Sequence, residues 1–181
     1  TLSQSYYSIS AENGGIINAL SSLSGGSDYE GFANIFIPKL SVNKNCGIAS
    51  AKATGCFQNV MHKLLNGSDW VNVSTSNSYS TLLTNDGISY AFEIGSKACT
   101  DNVSSPSSTS SPLYNLCGQI YVDVNGPNKG PAVWGKDIFI FLVTKKGIYP
   151  RGSYPDAWSS NCSTTGAGCA GKVILESAMN Y

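Results

Sequence analysis

The sequence predicts an α+β fold: an N-terminal helix packed on a mostly antiparallel β-sheet, with disulfide-bonded loops. Three observations predict it. Apolar residues recur at helical spacing early in the chain. Beyond residue 69 they alternate in short runs bounded by turn residues. Six cysteines stand at 46, 56, 99, 117, 162 and 169, an even number that suits disulfides. Helices first and strands later is the α+β order. A chain of 181 residues is long enough for one domain, 1–181, with a sizeable core.

The elements follow in order. TLSQSYYSISAENGG carries Leu2, Tyr6 and Ile9 on one helical face and stops at Asn13-Gly14-Gly15. Residues 1–13 read as the tail of a helix whose front is missing, with no cap before it. After a Gly/Ser linker at 24–27, residues 28–66 form a helical and loop region. In it, 28–40 read as a helix with Phe32, Ile35 and Phe36 on its apolar face and Pro38 limiting its length. Residues 56–67 read as a loop passing into a short helical turn or two. The sheet region is 69–181. Its expected strands are 70–75, 79–83, 88–94, 118–124, 137–144 and, last, 172–175. Asn85-Asp86-Gly87 marks a hairpin. The run 137–144 is apolar on both faces, as a strand covered on both sides would be. Residues 102–112 read as an exposed Ser/Pro-rich loop, 145–147 as a turn, and 149–158 as irregular and aromatic.

Cysteine spacing groups the six in sequential pairs: Cys46 with Cys56, Cys99 with Cys117, Cys162 with Cys169. Many other connectivities exist in principle. A zinc site is disfavoured, because there is no CxxC and His62 is the only histidine. Each short bridge would tie down a loop with little core of its own.

Charge argues against nucleic acid as a partner. Eleven basic residues balance eleven acidic ones, and Arg151 is the only arginine. Serine, threonine, asparagine and glycine replace the missing charge, a composition common outside the cell. No stretch reaches the ~20 apolar residues that span a bilayer.

Catalytic residues are not evident. His62 sits among apolar neighbours in VMHKLL and implies no partner. GxSxG, GxGxxG and the phosphate-binding GxxxxGK[ST] are absent. Glu12, Glu30, Glu93 and Glu176 lie far apart and form no paired motif. Four N-x-[ST] matches, at Asn66, Asn72, Asn102 and Asn161, are what chance gives in so Asn-, Ser- and Thr-rich a chain.

DVNGPNKGPAVWGKD, residues 123–137, has two readings. Asp123, Asn125, Asn128 and Asp137 supply the oxygens that a calcium ion takes. Against calcium, Pro127 stands where a ligand belongs and no closing Glu follows. The favoured reading is a structural turn in which Asp137 bonds loop amides.

The same stretch carries a resemblance. CGQIYVDVNGPNKGPAVWGKDIFIFLVTKKGIYPRG resembles the C-terminal half of bacterial type IV pilin-like proteins. In one group of these a strand ends in DVNG, G-x-D-x-F opens the next, and a G-I-x-P turn follows. Here these are residues 123–126, 135–139 and 147–150. IFIPKLSVNKNCG resembles the approach to that group's first loop cysteine, and GKVILESAMNY its final strand. The match runs from about residue 32 onward.

The resemblance implies the globular domain of a pilin or pseudopilin that polymerises through a long apolar N-terminal helix. TLSQSYYSISAENGG resembles the amphipathic second half of that helix, which implies that the apolar half lies ahead of Thr1. It further implies inner-membrane anchoring before assembly, other pilin subunits and the assembly machinery as partners, and a filament at the cell surface or in the periplasm. Residues 24–31, 102–112 and 149–168 would be displayed outward. Some pseudopilins are thought to bind calcium in a comparable late loop. Two other readings stand beside it. One is a secreted binding module for carbohydrate or another surface ligand, with Tyr149, Tyr154 and Trp158 as an aromatic platform. The other is a secreted hydrolase dependent on His62.

Overall fold

Six strands form one antiparallel sheet in the order β1-β2-β3-β4-β5-β6, each hydrogen-bonded to its neighbour in sequence. They are β1 (Val42–Ile48), β2 (Ser80–Thr84), β3 (Ser89–Ile94), β4 (Leu116–Asp123), β5 (Ile138–Thr144) and β6 (Ile148–Pro150). The computed structural model describes residues 1–48, 55–101, 109–154, 161–179 and 181. Among the described residues, five α-helices accompany the strands: α1 (Leu2–Asn13), α2 (Ile16–Leu20), α3 (Tyr29–Phe36), α4 (Cys162–Thr165) and α5 (Cys169–Glu176).

Register separates the two faces. Phe92 of β3 lies opposite Ile120 of β4, and Ile120 opposite Phe141 of β5. These side chains face α1, α2 and α3, and pack with Tyr6, Ile9, Leu20, Phe32 and Phe36. Phe32 meets Phe36 and Phe92 edge-on, at centroid separations of 5.5 and 6.1 Å. Each such buried side chain contributes about 1.5–3 kcal/mol by leaving water. The neighbouring register row is Ala91, Tyr121 and Ile140. It faces the other way, under Phe57, Val73, Leu113, Trp134 and Ala167. Strand β5 is therefore apolar on both faces because loops cover one and helices the other.

Helix α1 opens with a cap, where the sequence reading expected none. The Thr1 hydroxyl accepts from the Gln4 backbone N–H, and the Gln4 side chain accepts from the Thr1 amino group. The T-x-x-Q signature was legible. Its end is the expected one: Gly14 takes the left-handed conformation at φ 68°, and its N–H donates to the Ser10 carbonyl. The Tyr6 hydroxyl shares its proton between the Thr144 and Lys145 carbonyls, 3.0 and 2.8 Å away, so α1 is tied to the β5–β6 turn. Lys39 pairs with Glu12 on the exposed side. Asp28 caps α3 by accepting from the Gly31 N–H. Pro38 falls in a 3-10 turn, Ile37–Lys39, that follows α3.

Several expectations are corrected. Residues 56–67 form no helix, only a single turn in which the Gly67 N–H donates to the Leu64 carbonyl. The His62 N–H donates to the Val71 carbonyl, and the Trp70 N–H to that of His62, so the chain doubles back there. Residues 70–75 alternate but form no strand. Asn72 turns the chain instead, its side chain accepting from the Ser74 N–H and its carbonyl from the Thr75 N–H. Strand β1, unexpected, falls inside 28–66. Residues 172–175 are not a final strand but part of helix α5. Ala170, Val173 and Ile174 stand at i, i+3 and i+4 and line one groove with Val122 and Phe141. The run was too short to tell the two periods apart. In consequence α4 and α5 fall inside the region expected to be sheet.

The disulfides are Cys46–Cys56, Cys99–Cys117 and Cys162–Cys169. The first ties edge strand β1 to the loop that enters the second core, the second joins β4 to a loop, and the third links α4 to α5. Such bonds persist in oxidising compartments. Among the described residues, no helix is long and apolar enough to cross a membrane.

Candidate functional site

The stretch 123–137 turns its carboxylates inward. Asp123 and Asp137 are both fully buried. One oxygen of Asp123 accepts from the Asn125 and Gly126 N–H groups at 2.9 and 3.1 Å. The two oxygens of Asp137 accept from Ala132 and Val133, at 2.7 and 2.6 Å. Three of the four carboxylate oxygens thus hold loop amides, and Asp123 Oδ2 is buried without a partner among the described residues. Burial raises the Asp123 pKa from 3.8 to about 6, helped by the charge of Asp137 and opposed by the two amides. Asn125 and Asn128 instead line a shallow outer depression with Asp86, Gly87, Pro127 and Lys129. So the turn brings the two aspartates together and sends the two asparagines to the surface.

His62 is fully buried, with its ring centroid 6.0 Å from that of Phe57. Burial lowers its pKa, and the Gln58 backbone and the charge of Asp137 offset this in part. That shift favours the neutral imidazole. Neither ring nitrogen of His62 has a hydrogen-bond partner among the described residues, Asp137 included. Tyr149 and Tyr154 meet edge-on at 5.7 Å. Trp158, the third member of the expected platform, lies outside the described residues, as do Asn102 and most of the loop 102–112.

A different group of residues converges on the loop-covered face of the sheet. Glu93 of β3 and Gln119 of β4 are direct cross-strand partners. The Tyr121 hydroxyl donates to Glu93 Oε2 at 2.7 Å, and the Gln119 side-chain amide donates to the same oxygen at 3.4 Å. Arg151 follows β6, and its backbone N–H donates to the Ile140 carbonyl. That carries the guanidinium over the sheet, where Nη1 donates to Gln119 Oε1 at 3.1 Å. Burial raises the Glu93 pKa, while the Tyr121 hydroxyl and the Arg151 charge pull it down and Asp101 pushes it up. Burial, with the Glu93 charge, pushes the Tyr121 phenol well above 10.

Aromatic rings stand around this polar floor. Trp70 and Trp134 lie 4.7 Å apart between centroids, Tyr79 and Tyr121 5.3 Å, and Tyr121 and Trp134 5.8 Å. Together with Leu64, Thr165 and Ala167 they enclose a cavity of about 230 Å³. The rim is braced where the Leu65 N–H donates to the Thr165 carbonyl at the end of α4. Trp134 is 4% exposed, and its indole N–H has no acceptor among the described residues. Trp70 is 46% exposed and stands at the mouth.

Sequence reasoning missed this cavity. One signal was present: Glu93 and Gln119 interrupt otherwise apolar strands at positions that face a core. Convergence with Arg151 depends on register and on the course of the chain after β6. No family model, curated protein or solved structure matches this chain.

Proposed function

We propose that this chain is the globular domain of a filament subunit of the type IV pilin-like class, whether pilin or pseudopilin. The observation that carries the proposal is where three sequence segments fall. Residues 123–126 close β4 and turn away from it. Residues 135–139 lead into β5, which begins at Ile138. Residues 147–150 make the turn into β6, which spans Ile148–Pro150. Three segments that resemble one family thus occupy three successive junctions of a single antiparallel sheet. An N-terminal helix lying on that sheet supports the same reading. The helix α5 departs from it, since a final strand is what the resemblance implies for that segment.

On this reading the domain is a rigid head. Its stability comes from two cores and three disulfides, and its function is to polymerise and to display loops. Subunits of the same or related kind are the partners, through a helix continuous with α1. Assembly begins at the inner membrane, and the finished filament stands in the periplasm or at the cell surface.

The test is the native gene upstream of the Thr1 codon. The proposal expects a short basic leader followed by about 20 apolar residues with an early Glu. An ordinary cleaved signal peptide, or a start codon at that point, would replace it with the other reading, a secreted binding module with no polymerising helix.

A further inference from the structure

We propose that the aromatic cavity over Glu93, Gln119 and Arg151 is a binding site for one neutral sugar ring of a glycan. This does not depend on whether the domain polymerises.

Size sets the first limit. Ligand pockets for drug-sized molecules run about 300–1,000 Å³. At about 230 Å³ this cavity takes a single ring. Charge sets the second. Among the described residues its lining holds one carboxylate, Glu93, and one guanidinium, Arg151. Lining groups of both signs favour a ligand that is itself neutral.

Hydrogen bonding sets the third limit. Trp134 lines the cavity, and its buried indole N–H has no acceptor among the described residues. A ligand that brings an acceptor would satisfy it, and a wholly apolar one would not. Both hydrogen bonds to Glu93 fall on Oε2, and Oε1, which accepts none among the described residues, can take a donor that the ligand brings. Hydroxyls supply both from one small group.

The walls set the last limit. Trp70, Tyr79, Tyr121 and Trp134 present faces and edges of π-systems on several sides. A pyranose offers an apolar C–H face to an aromatic ring and hydroxyls around its edge. It meets all four requirements at once. The half-exposed Trp70 at the mouth gives the chain of a longer glycan a way out of the cavity.

The experiment is saturation-transfer NMR on the disulfide-bonded domain. The probes are the methyl glycosides of glucose, galactose, mannose and N-acetylglucosamine, with glucuronate and indole as comparators. The expected result is saturable transfer to the ring C–H protons of at least one neutral glycoside. In Trp70→Ala, affinity should drop about tenfold or more, as expected for losing an aromatic stacking face. Trp70 is half exposed, so the variant should fold. If it does not, the indole N–H resonance of Trp134 in the parent protein gives the same answer, since it must shift on titration. Binding of indole or glucuronate with no neutral glycoside bound would overturn the ligand class. A glycoside that binds equally to Trp70→Ala and leaves the Trp134 resonance unmoved would overturn the location. No saturable binding by any probe would overturn the site.

Discussion

Asp123→Asn should make the domain more stable at neutral pH and leave it unchanged in acid. In the native protein the Asp123 pKa is raised from 3.8 to about 6, chiefly by burial. Below the lower value both native and unfolded chains hold the proton, and the residue adds no pH dependence. As pH rises between the two values, the unfolded chain releases its proton while the native one keeps it, so stability is lost. Above the native pKa the loss is complete. A rise from 3.8 to about 6 corresponds to about 3 kcal/mol. Asparagine never ionises. Its side-chain oxygen still accepts from Asn125 and Gly126, and its NH2 stands where a charged oxygen stood near the Asp137 carboxylate. The assay is urea unfolding of both proteins across pH, with disulfides intact. The variant should gain about 1–3 kcal/mol at about pH 7.5 and close to nothing at about pH 4. A variant that is less stable than the parent at neutral pH would refute the reasoning, because the Asp123 charge would then be held by a favourable partner. A bound cation would have that effect. Repeating the parent measurement with calcium and with chelator separates the cases. The structural turn predicts one unchanged midpoint, whereas calcium bound only by the native state must raise it.

Other predictions concern the sheet and what lies on it. Tyr6→Phe removes the one hydroxyl that joins α1 to the Thr144 and Lys145 carbonyls, and should cost about 1–2 kcal/mol in urea unfolding. No cost would mean that α1 is not docked there. Phe92→Ala empties the centre of the aromatic group formed with Phe32 and Phe36, for about 3–5 kcal/mol. A loss under about 1 kcal/mol would place Phe92 outside the core. Gly118→Ala would put a methyl group 2.3 Å from the Glu93 carbonyl oxygen, in the middle of the β3–β4 ladder. It should lower the yield of folded protein or the melting temperature sharply, and an unchanged melt would contradict the register.

Much of the sheet was legible because its central strands obey simple rules. Strands β3, β4 and β5 are runs of alternating or continuous apolar residues, and Asn85-Asp86-Gly87 turns β2 back onto β3. Strand β1 was not legible. VNKNCGI is polar, lies at the sheet edge and pairs only with β2 through two register shifts. Its place rests on tertiary pairing and the Cys46–Cys56 bond rather than on its own pattern. Helix α5 was misread because three adjacent apolar residues, 173–175, satisfy either period. The aspartates of the 123–137 turn were recognised, including the role of Asp137 in holding loop amides. The cavity was not. Glu93, Gln119 and Arg151 come from three stretches of chain, and Arg151 was informative only as the single arginine of a weakly charged sequence.

The central claim is that this domain is built into a filament, and shearing tests it most directly. Filaments sheared from the cells that make the protein, or from cells overexpressing its secretion system, are separated from membranes and labelled with antibody to residues 1–181. The account predicts regular labelling along the filaments and the same chain in the pelleted fraction. Label confined to the soluble exported fraction, with bare filaments, would contradict it.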